Sequence, residues 1–197
     1  MKNNYPDLIR KASVYDVATK TPLDFAPLIS KRMSSQIWFK REDLQPVFSY
    51  KIRGAYNLMS SLSDETMRSG VVAASAGNHA QGVALSAKKL GVKATIVMPK
   101  TTPEIKVEAV VRLDGQVILH GNSYDDASDY AQKFALEKNM PYIPPYDHPL
   151  VIAGQGTVGL EILEQSKTLP DAIFVPVGGG GLISGVAAYV KSVAPTV

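Results

Sequence analysis

The sequence predicts an α/β fold in which a mostly parallel sheet carries helices on both faces. Three observations predict it. Short apolar runs alternate with longer runs of helical period along most of the 197 residues. The loops between them are short, as βα and αβ connections are. Strand-like runs such as GVVAAS at 70–75 and AIFVPV at 172–177 are apolar at successive positions, the pattern of a strand buried on both sides.

The elements follow in order. SQIWFK at 35–40 reads as a strand. Residues 52–62 have helical spacing, and Ser63 with Thr66 marks a break and restart. The strand at 70–75 leads to a helix at 78–90, which Gly91 stops as a C-terminal cap. KATIVM at 93–98 is a strand, 102–113 a helix ended by Asp114-Gly115, and QVILH at 116–120 a strand. A long amphipathic helix covers 124–138, and a short strand at 141–143 precedes the Pro144-Pro145 break. A helix at 152–166, a strand at 172–177 and a helix at 182–193 complete the chain. The proline-rich stretch 141–149 reads as a crossing between two lobes.

Composition bounds the function. With 45% hydrophobic and 20% charged residues, the chain is neither disordered, collagen-like nor a coiled coil. The lack of cysteine excludes disulfides, thiolate metal sites, iron–sulfur clusters and a cysteine nucleophile. It is compatible with a reducing compartment, and a cytoplasmic location is expected. The 21 basic and 18 acidic residues are mixed along the chain and form no basic block, so no nucleic-acid partner is expected. The start carries no apolar signal-like region. Residues 172–190 form 19 consecutive uncharged positions, but Pro176 and four glycines interrupt them, so no membrane span is expected. His79, His120 and His148 show no metal-ligand spacing, and no metal is expected.

The strongest local feature is Gly178-Gly179-Gly180-Gly181-Leu182, which follows a strand and opens a helix. Glycines let backbone N–H groups approach an anion, and the helix dipole adds positive potential, so a phosphate is the natural ligand. No Lys-Ser/Thr pair follows, so this is not a nucleotide P-loop. Gly154-Gln155-Gly156-Thr157-Val158-Gly159 matches a dinucleotide fingerprint in spacing alone. No strand precedes it and no acid stands about 20 residues on, so helix packing is the role expected of its glycines. Ser75-Ala76-Gly77-Asn78-His79 joins a strand to a helix; it is read either as a carboxylate or cofactor-oxygen site or as a plain N-cap by Ser75 or Asn78. Tyr50-Lys51 precedes a helix. A buried lysine there is disfavoured as a cation by desolvation and by the dipole, which makes its amine nucleophilic and fit for a Schiff base. An activated lysine and a phosphate cradle together point to pyridoxal 5'-phosphate. Ser86-Ala87-Lys88-Lys89 lies inside a helix without companion motifs, and adjacent Glu42 and Asp43 face opposite ways in an extended chain, so neither is a catalytic candidate.

In order and spacing the motifs resemble those of the fold-type II pyridoxal-phosphate enzymes, the tryptophan synthase β-like class, and most closely the biosynthetic threonine dehydratase branch. The resemblance rests on Lys40-Arg41-Glu42-Asp43-Leu44-Gln45-Pro46, Ser49-Tyr50-Lys51-Ile52-Arg53-Gly54-Ala55, Ser75-Ala76-Gly77-Asn78-His79, Pro144-Pro145-Tyr146-Asp147-His148-Pro149 with Ala153-Gly154-Gln155-Gly156-Thr157, and the tetraglycine. It implies that Lys51 is the Schiff-base lysine and general base at Cα. Tyr50 would pack on the pyridine ring and Asn78 bond its ring oxygen. Gly178, Gly179, Gly180, Gly181 and Leu182 would hold the phosphate, and Ser75, Ala76, Gly77, Asn78 and His79 would border the substrate carboxylate. The implied reaction is dehydration and deamination of L-threonine, or L-serine, to 2-oxobutanoate, or pyruvate, and ammonia, at the start of isoleucine biosynthesis. The implied assembly is a homo-oligomer, often a tetramer.

The resemblance also implies domains at 1–41 (start of a large cofactor domain), 42–145 (small α/β domain) and 146–197 (start of the large-domain core). The rest of that domain, with the Ser or Cys partner of the pyridine nitrogen, and an isoleucine-binding regulatory domain would lie beyond Val197. On this expectation the second domain is incomplete, apolar faces are uncovered, and the chain is a fragment of low stability and little turnover. Ala76 stands where racemase relatives carry an acid/base serine, which argues against racemisation. Threonine synthase, serine racemase or a cysteine synthase-like enzyme, a nicotinamide oxidoreductase and a non-catalytic remnant are the competing readings.

Overall fold

The computed structural model describes residues 4–197. Residues 1–3, where the first expected domain segment begins, lie outside the described residues. The N-terminal region holds elements with no clear periodic signal. Helix α1 (Tyr5–Arg10) starts where Asn4 accepts the Asp7 N–H and a proline occupies its first turn. Strand β1 (Leu23–Phe25), helix α2 (Pro27–Met33) and strand β2 (Trp38–Lys40) form an antiparallel hairpin unit, with Leu23 opposite Lys40 and Phe25 opposite Trp38. The strand expected over 35–40 is shortened because the Ile37 N–H is taken by Ser30 Oγ in the middle of α2.

A 3₁₀ turn (Glu42–Leu44) leads into α3 (Lys51–Met59). This helix ends before the expected residue 62 because Ser61 Oγ bonds back to the Leu58 carbonyl at 2.6 Å. Ser63 caps a restart, α4 (Asp64–Met67), as its spacing to Thr66 implies. Then β3 (Val71–Ala74), α5 (Asn78–Leu90), β4 (Ala94–Met98), α6 (Glu104–Val111), β5 (Gln116–Leu119) and α7 (Tyr124–Glu137) follow in strict alternation. The three strands are parallel in the order β3-β4-β5, with Val71 opposite Ala94 and Thr95 opposite Gln116. Every residue of β3 and β4 is buried, because both faces are covered. Val71, Ala73, Ile96 and Met98 pack with Ala80, Val83, Ala84 and Ala87 of α5 and with Ala55 and Met59 of α3. Val72, Ala74 and Val97 pack with Ala127, Ala131 and Ala135 of α7. The expected strand at 141–143 contributes one parallel bridge, Tyr142 beside Val72.

Helix α8 (Pro149–Gln165) begins three residues before the expected position 152, with proline in its first turn and His148 Nδ1 accepting the Leu150 N–H. It packs between α3 and α9 (Gly181–Val193) with almost no side chain at the crossings. A Cβ on Gly154 would stand 2.6 Å from the Arg53 carbonyl oxygen, and one on Gly185 would stand 2.6 Å from the Gly156 nitrogen. The G-x-G-x-x-G spacing is therefore a helix-packing stripe. Residues 172–177 form no strand. They carry no regular secondary structure, and no strand pairs with them among the described residues. Phe174 is 96% exposed and Val177 64%. The uncharged run 172–190 divides into this segment and part of α9, and no helix among the described residues is long and apolar enough to cross a membrane.

Replacing Gly185 with alanine forces two helix backbones apart and should cost about 2–3 kcal/mol. Gly91→Ala meets no neighbour but keeps a left-handed residue at φ 69°, and should cost about 1 kcal/mol. Urea unfolding of both variants checks the order; equal losses would show that the α8–α9 crossing tolerates a wider separation.

Candidate active site

Lys51 is the first residue of α3 and is half-buried. Its ammonium donates to the Pro145 carbonyl at 2.6 Å and stands 5.6 Å from the centroid of the Tyr50 ring. Burial lowers its pKa from the usual lysine value, the direction that raises the share of free amine. The Tyr50 side chain packs in the same apolar cluster as Leu182, Val186 and Val158.

The Ser75–His79 turn follows β3 and opens α5. Neither Ser75 nor Asn78 caps the helix. Gly77 is the N-cap residue and supplies no side chain, while Ser75 Oγ accepts only the Gly77 N–H, at 3.2 Å. Asn78 is exposed, and Ser75, Ala76 and Gly77 are half-buried. The first-turn N–H groups of α5 are thus open to an anion. His79 is buried. Its Nε2 lies 2.9 Å from the Ile143 carbonyl oxygen and so carries the proton, which leaves Nδ1 a buried acceptor with no partner. Desolvation, against the Ile143 hydrogen bond and with repulsion from Lys51, pushes its pKa down to about 4.

The tetraglycine opens α9 in the same way. Gly180 is the N-cap, left-handed at φ 86°, and no side chain caps the helix. A Cβ at Gly178 or Gly180 would meet nothing within 4 Å, so open space faces these two residues. A Cβ on Gly179 would collide with the Tyr146 ring, 2.6 Å from its Cε1 and closer still to Cδ1, and one on Gly181 would lie 2.8 Å from the Tyr146 carbonyl oxygen. The segment Ile143–Tyr146 therefore joins the expected residues: Ile143 holds His79, Pro145 holds Lys51, and Tyr146 rests on Gly179 and Gly181. Gly82, one turn into α5, touches the backbone of Lys51 and Ile52. Three helix starts and one loop meet in one corner, with a desolvated amine beside first-turn N–H groups that no side chain caps. This donor set fits a phosphorylated aldehyde.

Behind α3 lies a charge cluster that sequence reasoning missed. Arg53 and Glu161 are fully buried and paired at 2.6 Å, and Glu42 takes two more Arg53 hydrogen bonds at 2.8 Å. Lys40 donates to Glu161, to the Thr21 carbonyl and to Gln165, and Tyr15 donates to Glu161 at 2.8 Å. Burial alone would raise the Glu161 carboxyl, but hydrogen bonds and charge from Arg53, with Lys40 and Tyr15, hold it below its usual value. Asp43, by contrast, pairs with exposed Arg41. The missed signal was Glu161 itself, a lone charge in the apolar run 151–162.

The chain belongs to the pyridoxal-phosphate dependent enzyme family, whose model matches residues 14–197. The fold is that of the fold-type II class. Among its relatives, Threonine dehydratase 1 biosynthetic, chloroplastic, of Solanum lycopersicum is 60% identical over 96% of this chain. L-threonine dehydratase biosynthetic IlvA of Pasteurella multocida is 53% identical over 98% of it. The chain spans about a third of these proteins, 31% and 37% of their lengths. Among solved structures, the processed form of threonine deaminase isoform 2 from Solanum lycopersicum superimposes with a TM-score of 0.94 at 52% identity, covering 98% of this chain and 53% of that one. Maize serine racemase gives 0.93 at 39% identity, covering 97% and 58%.

His79 yields a pH prediction. The unfolded chain takes up a proton there near pH 6.5, whereas the folded chain resists until about pH 4. Acidification then favours the unfolded state, so stability is full above pH 6.5 and falls by about 3 kcal/mol toward pH 4. Glutamine keeps a donor for the Ile143 carbonyl but does not titrate. Denaturation curves across this window should therefore be flatter for His79→Gln than for the wild type; parallel curves would show the imidazole to be solvated.

Proposed function

We propose that this chain supplies the Schiff-base half of a pyridoxal-phosphate-dependent L-threonine dehydratase, with L-serine as second substrate. The observation that carries the reading is the Lys51 amine, desolvated and held by Pro145, in the same corner as the uncapped tetraglycine helix. Bound pyridoxal phosphate supplies an aldehyde and an electron-withdrawing ring that stabilises negative charge at the substrate Cα.

The residues have the following roles. Gly178, Gly179, Gly180, Gly181 and Leu182 bind the phosphate through backbone N–H groups and the helix dipole. Tyr50 would pack against the ring and Asn78 would hydrogen-bond its oxygen. Ser75, Ala76, Gly77, Asn78 and His79 receive the substrate carboxylate at the open start of α5. Lys51 would hold the cofactor through its amine and would serve as the base for the Cα proton, a role that the lowering of its pKa by burial favours. Ala76 has no hydroxyl to deliver a proton, which favours elimination over racemisation. The products are 2-oxobutanoate (or pyruvate) and ammonia. The high identity to dehydratases named biosynthetic supports a place at the entry to isoleucine synthesis. A homo-oligomer and a cytoplasmic setting belong to the same proposal.

Incubation with pyridoxal phosphate, borohydride reduction and peptide mapping tests the reading. The label should fall on Lys51, and Lys51→Ala should lose at least about nine-tenths of it, since Lys51 is the desolvated amine that stands beside the two uncapped helix starts. Label spread evenly over surface lysines, unchanged by that substitution, would remove the basis for the proposal.

A further inference from the structure

The cluster behind α3 has the geometry of a clamp. Every N–H of Arg53 is engaged: Nε with Glu42 at 2.8 Å, Nη1 with Glu161 at 2.6 Å and Thr157 at 3.0 Å, and Nη2 with Glu42 at 2.8 Å, Glu161 at 3.1 Å and the Thr19 carbonyl at 3.2 Å. The carboxylates are equally committed. Glu161 takes Tyr15 and Lys40 besides Arg53, and Glu42 takes Thr21 at 2.6 Å and Gln45 at 3.1 Å. The cluster thus joins the segment before β1, the end of β2, the 3₁₀ turn, α3 and α8.

Its position relative to Lys51 follows from helix geometry. Arg53 lies two residues along α3, about 200° around the axis, so the clamp grips the back of the turn whose front carries the amine. The front abuts α5 at Gly82, and the next residue, Gly54, bonds Gln155 of α8 through its N–H at 3.2 Å. A fully extended lysine ends roughly 8 Å from the helix axis, so a 20° rotation of α3 would carry its nitrogen about 3 Å, a whole hydrogen-bond length. Stability alone is a poor reason for such a cluster, because well-packed apolar residues replace buried ion pairs without loss in many proteins. A rigid guanidinium fork between two carboxylates fixes an angle, which apolar packing does less sharply.

We propose that the Arg53–Glu161–Glu42–Lys40 cluster is a positioning device for Lys51, setting the rotation of α3 so that the amine stays on the Pro145 carbonyl inside the site. Arg53 and Glu161 touch neither cofactor nor substrate; they act through the helix. The inference rests on the reading of Lys51 as the working amine, but its test does not need the cofactor.

The test is acetylation of Lys51 by acetic anhydride across a pH series, read by peptide mass spectrometry on the full chain without cofactor, with melting temperature measured in parallel. The groups around the amine, the Tyr50 phenol and the His79 imidazole, are unchanged in every variant. In Glu161→Gln and Arg53→Lys the midpoint of the profile should move up by about one unit, a tenfold smaller share of free amine at neutral pH. Yield of the borohydride-trapped pyridoxal phosphate adduct should fall by a similar factor. The double variant Arg53→Met/Glu161→Met should regain melting temperature but not the wild-type midpoint. Recovery of both, or folded single variants with an unshifted midpoint, would overturn the proposal and leave the cluster purely structural. Where Glu161→Gln does not fold, Lys40→Met removes one corner and leaves the Arg53 fork on both carboxylates. A raised midpoint there supports the clamp, and an unmoved one in a folded protein overturns it. A wild-type chain that takes no label from pyridoxal phosphate would instead refute the proposed function and leave the acetylation result standing.

Discussion

The buried ion pair between Arg53 and Glu161 is the constraint on which the arrangement depends. Both side chains are fully buried, so each charge has the other and a few hydrogen bonds in place of water. Removing one partner of such a pair costs about 3–5 kcal/mol, because the survivor is left desolvated and unpaired. That penalty enforces geometry. Helix α8 must present Glu161 and Thr157 to α3, the 3₁₀ turn must bring Glu42, and β2 must end with Lys40 pointing inward. Segments far apart in sequence are brought to one place because four charges with little or no access to solvent are satisfied there by one another.

The opposite side of α3 is built by the contrary principle. There the chain leaves polar groups unmet. Helices α5 and α9 both begin at glycines, with no side chain closing their first turns, where a serine or aspartate cap would add about 1 kcal/mol each. Elsewhere side chains close some helix starts, Ser123 with Asp126 in a reciprocal capping box at α7 and Ser63 at α4, and leave others, α2 and α6, without a side-chain cap. What sets the starts of α5 and α9 apart from those of α2 and α6 is their place beside the Lys51 amine, through Gly82, Ile143 and Tyr146.

Much of the fold was legible because it rests on local rules. The five elements from β3 to β5, and α7 after them, announce themselves by period and by punctuation at Gly91 and Asp114-Gly115; α5 begins and ends where its pattern does. The regions that were not legible depend on partners distant in sequence. Strand β1 is three residues long and exists because β2 lies beside it. The run 172–177 has the apolar pattern of a strand but no neighbouring strand among the described residues, and takes no regular structure. The site divided along the same line. Lys51, the Ser75–His79 turn and the tetraglycine could be found as motifs. Their joining through Ile143–Tyr146 could not, because a proline-rich loop states no direction. Nor could the cluster, because Glu42 looks like half of an adjacent acidic pair until its partner 11 residues away is seen.

The glycines of α8 and α9 connect the two sides of α3. A charged side chain can reach across a helix crossing only if the backbones are close enough for its head to arrive with little freedom left. Gly154 against the Arg53 carbonyl, and Gly54 against Gln155, bring α3 and α8 to that separation; Gly185 against Gly156 does the same for α8 and α9. Arg53 then meets Glu161 squarely, and α9 is drawn in so that the tetraglycine lies against Tyr146, the neighbour of the carbonyl that holds Lys51. A methyl group at any of these crossings would loosen the clamp and move the glycine loop together. Packing and electrostatics are therefore not independent supports here: the stripe of small residues sets the distance at which the ion pair can fix an angle, and that angle decides where the amine stands.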